Sequence, residues 1–259
     1  MRSVFSLTAS FLLTGPAAAA VKTEEVKYTF DGVEFVGLVA YDDGSTAKRP
    51  GVLVVHEWWG LNAHAKERAK MLAQEGYVAL ACDMYGAGRT TEHPTDAQKM
   101  ANAVRANVDV WRGRAAAALD VLKKHPMVDA TKLAAIGFCF GGSTALQLAY
   151  AGADLKAVVT FHAALPTPKP AEAKAIKAKL LVCHGAADKF VPDESIAKFR
   201  TAMSEAGVPL TFEAYPGVVH SFTAPEADKV GNPGMKYDRA ADEKSWASMK
   251  KLFAETLGK

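Results

Sequence analysis

Short apolar runs with no polar face constrain this chain more than any other feature. Val52–Val55 is uninterrupted apolar sequence, and "YVALACDMYG" carries a second such run. Strands of that kind are buried on both faces, as in a parallel sheet. Further strands are read at Lys132–Gly137, Ala157–Phe161, Lys179–Cys183 and Leu210–Tyr215. Helical stretches separate them: "NAHAKERAKMLAQEGY", which stops at Gly76, then Gly142–Tyr150, Glu194–Ala206 and a closing helix over Lys244–Leu257. This alternation predicts an α/β fold, with a mostly parallel sheet and helices on both faces.

Two segments stand apart from the alternation. Tyr28–Phe30 and Val33–Tyr41 flank an Asp-Gly turn and predict an N-terminal antiparallel hairpin. Thr95 and Gln98 have capping-box spacing. They predict one long helix whose apolar stripe runs Met100, Val104, Val108, Trp111, Ala115, Leu119, Leu122. No repeat or low-complexity linker divides the 259 residues, so residues 21–259 are read as one domain. A formal charge of +3 without a Lys/Arg cluster argues against a nucleic-acid partner.

Residues 1–20 read as a signal peptide. Arg2 supplies the positive start, "SVFSLTASFLLTG" the apolar segment, and "PAAAA" the small residues before a cut after Ala20. The segment is shorter than the ~20 apolar residues a membrane span needs. The expected location is periplasmic or secreted. In that compartment three cysteines, Cys82, Cys139 and Cys183, leave at least one thiol that is free or pairs between chains.

Cys139 sits in "GFCFGG", which fits the G-x-nucleophile-x-G pattern, with a strand before and a helix after. That is the context of a nucleophile elbow, whose tight turn exposes the apex side chain. The helix N-terminus aimed at the apex favours a thiolate. The plain alternative is a buried core cysteine. In this fold the acid and the histidine follow the nucleophile in chain order. Asp188 ends "KLLVCHGAAD" and His220 ends "LTFEAYPGVVH", so Cys139, Asp188 and His220 form the candidate triad. His56 and His162 end strands but precede or interrupt that order. His184 is read as a packing residue, and His64, His93 and His125 as surface or helix-end residues. Cys183 beside His184 lacks zinc-site spacing, so no metal is expected.

With these residues in place, the chain resembles the dienelactone hydrolase, or carboxymethylenebutenolidase-like, family of the α/β-hydrolase fold. The resemblance rests on "HEWWGLN", "GYVALACDMYG", "GFCFGG", "HGAADKFVP" and "GVVHSF" and spans Tyr28 to the C-terminus. It implies a Cys139–His220–Asp188 thiol hydrolase of esters or lactones that needs no cofactor. It also implies that Glu57 keeps the resting thiol protonated; the bland reading is that Glu57 caps a loop. The oxyanion hole would be the backbone N–H groups of Trp58 and Phe140. In the strand order of this fold, Cys82 and Cys183 lie about four strands apart, ~19 Å, beyond disulfide reach. A monomer with a small-molecule substrate is expected. The family's substrate-carboxylate arginines are not matched: Arg89 is offset, and Ala224 stands where the second would be. Candidate substrate contacts are Trp59, Tyr85, Arg89, Tyr237 and Arg239, the last two in a long stretch after His220 with the length of a lid. A silent binding module and a thiol redox sensor are the alternatives. N-terminal sequencing of the protein from an extracytoplasmic fraction is expected to begin at Val21; residues 1–20 retained on cytosolic protein would contradict export.

Overall fold

The computed structural model describes residues 21–258. The segment read as a signal peptide lies outside them. Strand β1 (Val21–Phe30) pairs along its whole length with β2 (Val33–Asp42). The turn residues Asp31 and Gly32 both have positive φ, 50° and 71°. That is the backbone an Asp-Gly hairpin turn requires.

Six further strands complete the sheet: β3 (Arg49–Val55), β4 (Val78–Cys82), β5 (Val128–Phe138), β6 (Ala157–Phe161), β7 (Lys179–Gly185) and β8 (Leu210–Tyr215). Their order is β1-β2-β4-β3-β5-β6-β7-β8, with β1 and β2 antiparallel and the rest parallel. Every residue of β4 and β6 is buried, as uninterrupted apolar runs demand. Cys82 and Cys183 sit on β4 and β7, four strand positions apart, and both are buried free thiols.

Helices cover both faces. On one side α1 (Ala63–Gln74) and α7 (Arg239–Leu257) pack Leu72, Trp246, Met249 and Phe253 against Val52, Val54 and Ile136. The other face carries α2 (Pro94–Arg105), α3 (Val108–Lys124), α4 (Phe140–Tyr150), α5 (Pro170–Ala175) and α6 (Asp193–Glu205). There Trp111, Leu119, Leu146 and Phe199 close a second core over Leu53, Leu80 and Val158.

The single long helix expected from residue 95 onward is two helices. Asn107 interrupts it: its side-chain oxygen accepts from the N–H groups of Asp109 (3.0 Å) and Val110 (3.2 Å), starting α3 afresh. An Asn oxygen satisfies N–H groups that a new helix otherwise leaves open. The Thr95–Gln98 capping box does not form. The residue before α2 is His93, Pro94 starts the helix, and Gln98 Nε2 donates to Asn102 instead. Replacing Asn107 with Ala is expected to cost about 1 kcal/mol. A lower urea midpoint with unchanged ester turnover would be the readout.

Candidate active site

Between β5 and α4 the chain has one residue, Cys139, and its backbone is unusual: φ 50°, ψ −113°. A non-glycine residue there is strained and persists only when its surroundings fix it. The Cys139 N–H donates to the Phe161 carbonyl (3.0 Å), and the Cys139 carbonyl accepts from the N–H groups of Gly142 (3.1 Å) and Ser143 (3.4 Å). The turn also depends on two missing side chains. A Cβ on Gly137 would stand 2.0 Å from the Gly141 carbonyl oxygen, and one on Gly141 2.2 Å from that of Val55. Only glycine lets α4 lie this close to β5 and β3. The half-exposed thiol therefore sits at the N-terminus of α4, where the helix dipole favours an anion.

Sheet register brings the partners to the same rim. Val55 pairs with Gly137, Phe138 with Phe161, Phe161 with Cys183, and Gly185 with Tyr215. The residues just past these ends include Cys139, Asp188 and His220. The Asp188 N–H is held by the Gly185 carbonyl (2.9 Å), and the His220 backbone is bracketed by Gly234 and Lys236 (3.1 and 3.0 Å). His220 Nδ1 meets Asp188 Oδ2 at 2.7 Å, while Asp188 Oδ1 accepts from the Phe190 N–H at 2.9 Å. An anionic carboxylate can only accept, so Nδ1 carries the proton and Nε2 is left for the thiol. Burial works against charge on His220. The Cys139 charge, the hydrogen bonds to Asp188 and Cys139 and the Asp188 charge outweigh it and raise His220 to about 10.

Glu57, expected beside the thiol, has a different hydrogen-bond partner. Ser221 Oγ donates to Glu57 Oε1 at 3.1 Å, and His162 Nδ1 is 3.8 Å from the same oxygen. Burial raises the carboxyl's pKa despite the His220 charge and the Ser221 hydrogen bond. His162 is driven well below its ordinary value, chiefly by burial, so this contact involves a neutral imidazole. His56 braces the loop: its Nε2 accepts from the Met84 N–H (3.1 Å) and its Nδ1 faces the Glu57 carbonyl. The backbone N–H groups of Trp58 and Phe140 have no partner among the described hydrogen bonds. Both are placed beside the apex residue or on the β3 loop that α4 abuts.

The expected substrate contacts divide. Tyr85 is buried near Cys139, and its hydroxyl donates to the Trp58 carbonyl at 2.9 Å. Trp59 is buried with Ala97 and Met235, its ring 4.9 Å from that of Trp58. Arg89 is occupied by the carbonyls of Gly86 (3.2 Å) and Tyr85. Tyr237 donates to Asp242 (3.3 Å), and Arg239 is an exposed partner of Glu243 at 3.7 Å. Both thus serve the start of α7 rather than the thiol. The stretch after His220 is pinned back on itself, with a bridge from His220 to Met235 and the Asp238 N–H on the Phe222 carbonyl (3.1 Å). His64 stands at a helix end, in the first turn of α1, and is half-buried: its ring is edge-on to Phe138, and burial with the neighbouring Arg68 lowers it to about 3.

Sequence reasoning missed two residues here. Phe190, 52% exposed, lays its ring 5.3 Å from that of His220. "DKF" directly after a candidate triad acid was the available signal. Arg105, at the end of α2, holds its guanidinium 5.2 Å from the Phe140 ring; no local pattern marks it. No group of three or more His, Cys, Asp or Glu among the described residues could hold a metal ion. A groove of about 610 Å³ between α5 and α6 contains none of the candidate triad residues.

A strained cysteine elbow on a mostly parallel sheet, with a histidine and an aspartate from later strands, defines an α/β-hydrolase. The dienelactone hydrolase family model matches residues 35–257, and the chain belongs to that family. It is therefore a hydrolase acting on esters or lactones. The solved structure named m3DLH is 43% identical, with a TM-score of 0.90 over 92% of this chain and 99% of its own. A dienelactone hydrolase-like promiscuous phosphotriesterase from metagenomic libraries is 41% identical, with a TM-score of 0.89 and the same coverage. Protein usf of Aquifex pyrophilus is 30% identical over 90% of this chain and 98% of its own length.

Two outcomes follow from this geometry. Gly141→Ala is expected to cost about 2–3 kcal/mol through the forced contact and to lower ester turnover by roughly 100-fold. Unfolding and kinetic measurements check both. The second concerns the histidine. Its raised pKa contributes stability that is fully present below about 6.5 and is lost as pH rises through about 10. In Asp188→Asn, the His220 titration followed by NMR should move down, and that alkaline loss of stability should begin at lower pH.

Proposed function

We propose that the protein cleaves carboxylic esters or lactones with Cys139 as nucleophile, His220 as base and Asp188 as the group that orients His220. The single observation that carries this reading is the 2.7 Å hydrogen bond from His220 Nδ1 to Asp188, with Cys139 on a strained elbow close enough for its charge to raise His220. With Glu57 on Ser221, His220 Nε2 already holds the proton of Cys139, and the thiolate Sγ attacks the carbonyl carbon. The carbonyl oxygen becomes an oxyanion, and the N–H groups of Phe140 and Trp58 stabilise it. Collapse breaks the carbon–oxygen bond, and the His220 imidazolium protonates the departing alkoxide. The acyl thioester then accepts a water whose proton passes to His220. Breakdown releases the carboxylic acid and restores the thiol. With a lactone the alcohol stays joined to the acid, giving one hydroxy acid.

Glu57 is proposed to restrain the thiol. A carboxylate near Cys139 disfavours thiolate by like charge, and oxidation follows thiolate character. The side chain docked on Ser221 is then the released position. Glu57→Gln is expected to speed iodoacetamide alkylation of Cys139 and peroxide inactivation; unchanged rates for both would remove the restraint.

Neutral substrates with an apolar or aromatic portion fit the surroundings best. Arg89 is consumed by backbone carbonyls, Ala224 offers no charge, and the exposed Phe190 ring flanks His220. The 41% identical phosphotriesterase makes a phosphotriester the informative additional substrate in the same assay. Export after cleavage at Ala20, and action as a monomer, complete the proposal; such a cut leaves all of β1 in place. The competing reading is a silent binding module, and turnover of p-nitrophenyl acetate by wild type excludes it. Cys139→Ala is expected to abolish that turnover without loss of fold, and Cys139→Ser to lose roughly 100-fold or more because a hydroxyl is poorly matched to the His220 base. Wild-type rates in Cys139→Ala would contradict the mechanism.

A further inference from the structure

Three residues past His220, the chain is gripped from a side the triad does not use. Thr223 is fully buried, and its carbonyl accepts from Arg68 Nη2 at 2.6 Å. Its hydroxyl lies 2.8 Å from His162 Nε2. Arg68 comes from α1, and the same Nη2 is 2.8 Å from both carboxylate oxygens of Asp242 in α7. His64 Nε2 lies 3.2 Å from Arg68 Nε and 3.0 Å from the same Thr223 carbonyl. The guanidinium carbon lies 5.8 Å from the Phe138 ring and 5.2 Å from that of Trp246. Side-chain exposure of the ion pair is 6% and 11%.

Stability is a poor reason for such a pair. Desolvation offsets much of the attraction, and apolar replacements of buried ion pairs are often neutral or stabilising. Direction is what a guanidinium fork supplies, because its donors lie in one fixed plane. Two nearby residues need fixed direction. Ser221 (φ 57°) and His162 (φ 42°) are non-glycine residues in the left-handed region, a strained backbone that persists only where the surroundings hold it. Both touch the proposed machinery. Ser221 Oγ donates to Glu57, and the His162 ring is edge-on to that of His220 at 5.0 Å. Thr223 is tied to both: its carbonyl and hydroxyl anchor the chain on the far side of Ser221 and the far edge of His162.

We infer that Arg68 and Asp242, acting through Thr223, are positioning residues that fix the His220–Ser221 loop and the His162 ring against the thiol. The inference rests on His220 acting as the base for Cys139. Neither Arg68 nor Asp242 touches Cys139 or His220 among the described contacts. Their effect is geometric: they hold the base at a productive angle and keep Ser221 within reach of Glu57.

The test compares Arg68→Lys, Asp242→Asn, Thr223→Val and Thr223→Ser with wild type. Melting temperature, kcat and KM for p-nitrophenyl acetate, and the iodoacetamide rate at Cys139 are measured on the folded fraction. Arg68→Lys and Thr223→Val are expected to lower kcat roughly 10- to 100-fold with KM held within about twofold, since small misplacements act on the chemical step. Slower alkylation should accompany the loss, and Thr223→Ser should restore both. A drop in melting temperature with kcat and alkylation unchanged would make the clamp merely structural and overturn the inference. Should Arg68→Lys or Asp242→Asn fail to fold, Asp242→Glu, which keeps the charge opposite Arg68 but shifts the carboxylate, decides the clamp by the same readouts, while Thr223→Val and Thr223→Ser test the hydroxyl's hold on His162. A wild type inert toward the ester would instead sink the thiol-hydrolase reading and the inference with it, a result distinct from active wild type with indifferent variants.

Discussion

The contact between α4 and the end of β3 is the constraint on which the site depends. Because Gly141 carries no side chain, α4 approaches the Val55 carbonyl, and because Gly137 carries none, the turn before it closes on Gly141. With both distances satisfied, the one residue left between strand and helix is forced to φ 50°. That residue is Cys139. Its thiol is thus presented at the rim by backbone geometry, and the helix N-terminus behind it supplies a favourable field for a developing thiolate. The strain is supported by a core of aromatic rings: Phe140 stacks on Trp111 at 5.8 Å, and the Trp111 Nε1–H donates to Thr144 at 2.7 Å.

A parallel sheet extends that local device into a constellation. Strands in register end together, so the loops after β3, β5, β7 and β8 converge on one rim. Each arrives already tethered: Asp188 through its own backbone to Gly185, His220 through Gly234 and Lys236. The polar layer behind them follows one rule, that buried polar groups find partners. Asp83 accepts from the N–H groups of Tyr85 (2.7 Å), Gly86 (3.0 Å) and Gly88 (2.9 Å), fixing the loop that carries Tyr85 beneath the site. His162 Nδ1 is an exception, buried without a hydrogen bond and 3.8 Å from Glu57. That vacancy gives the Glu57 carboxyl a second neighbour besides Ser221.

Local patterns carried much of this architecture in the sequence. The Asp-Gly hairpin, the apolar strands and the cysteine elbow are each encoded within a few adjacent residues, and the candidate triad is read from chain order on those strands. What sequence could not expose was long-range or backbone-dependent. Arg68 and Asp242 are 174 residues apart, and each reads as an ordinary charge on an amphipathic helix. Nothing adjacent to Thr223 announces that its carbonyl and hydroxyl face two different elements. The break at Asn107 was hidden because the apolar stripe continues across it, while a single side-chain oxygen decides the new helix start. Tyr237 and Arg239 looked free for substrate because their partners, Asp242 and Glu243, lie a turn further along α7.

The central claim is that Cys139 forms a covalent acyl intermediate, and acid-quenched intact-protein mass spectrometry tests it most directly. Purified protein is mixed with excess p-nitrophenyl acetate, quenched during turnover, and digested to locate any adduct. The account predicts one acetyl group per chain, mapped to Cys139, lost on further incubation after substrate is exhausted and absent in Cys139→Ala. Full turnover with Cys139 never acetylated, or an adduct mapped to Ser221 or to Cys183, would contradict it.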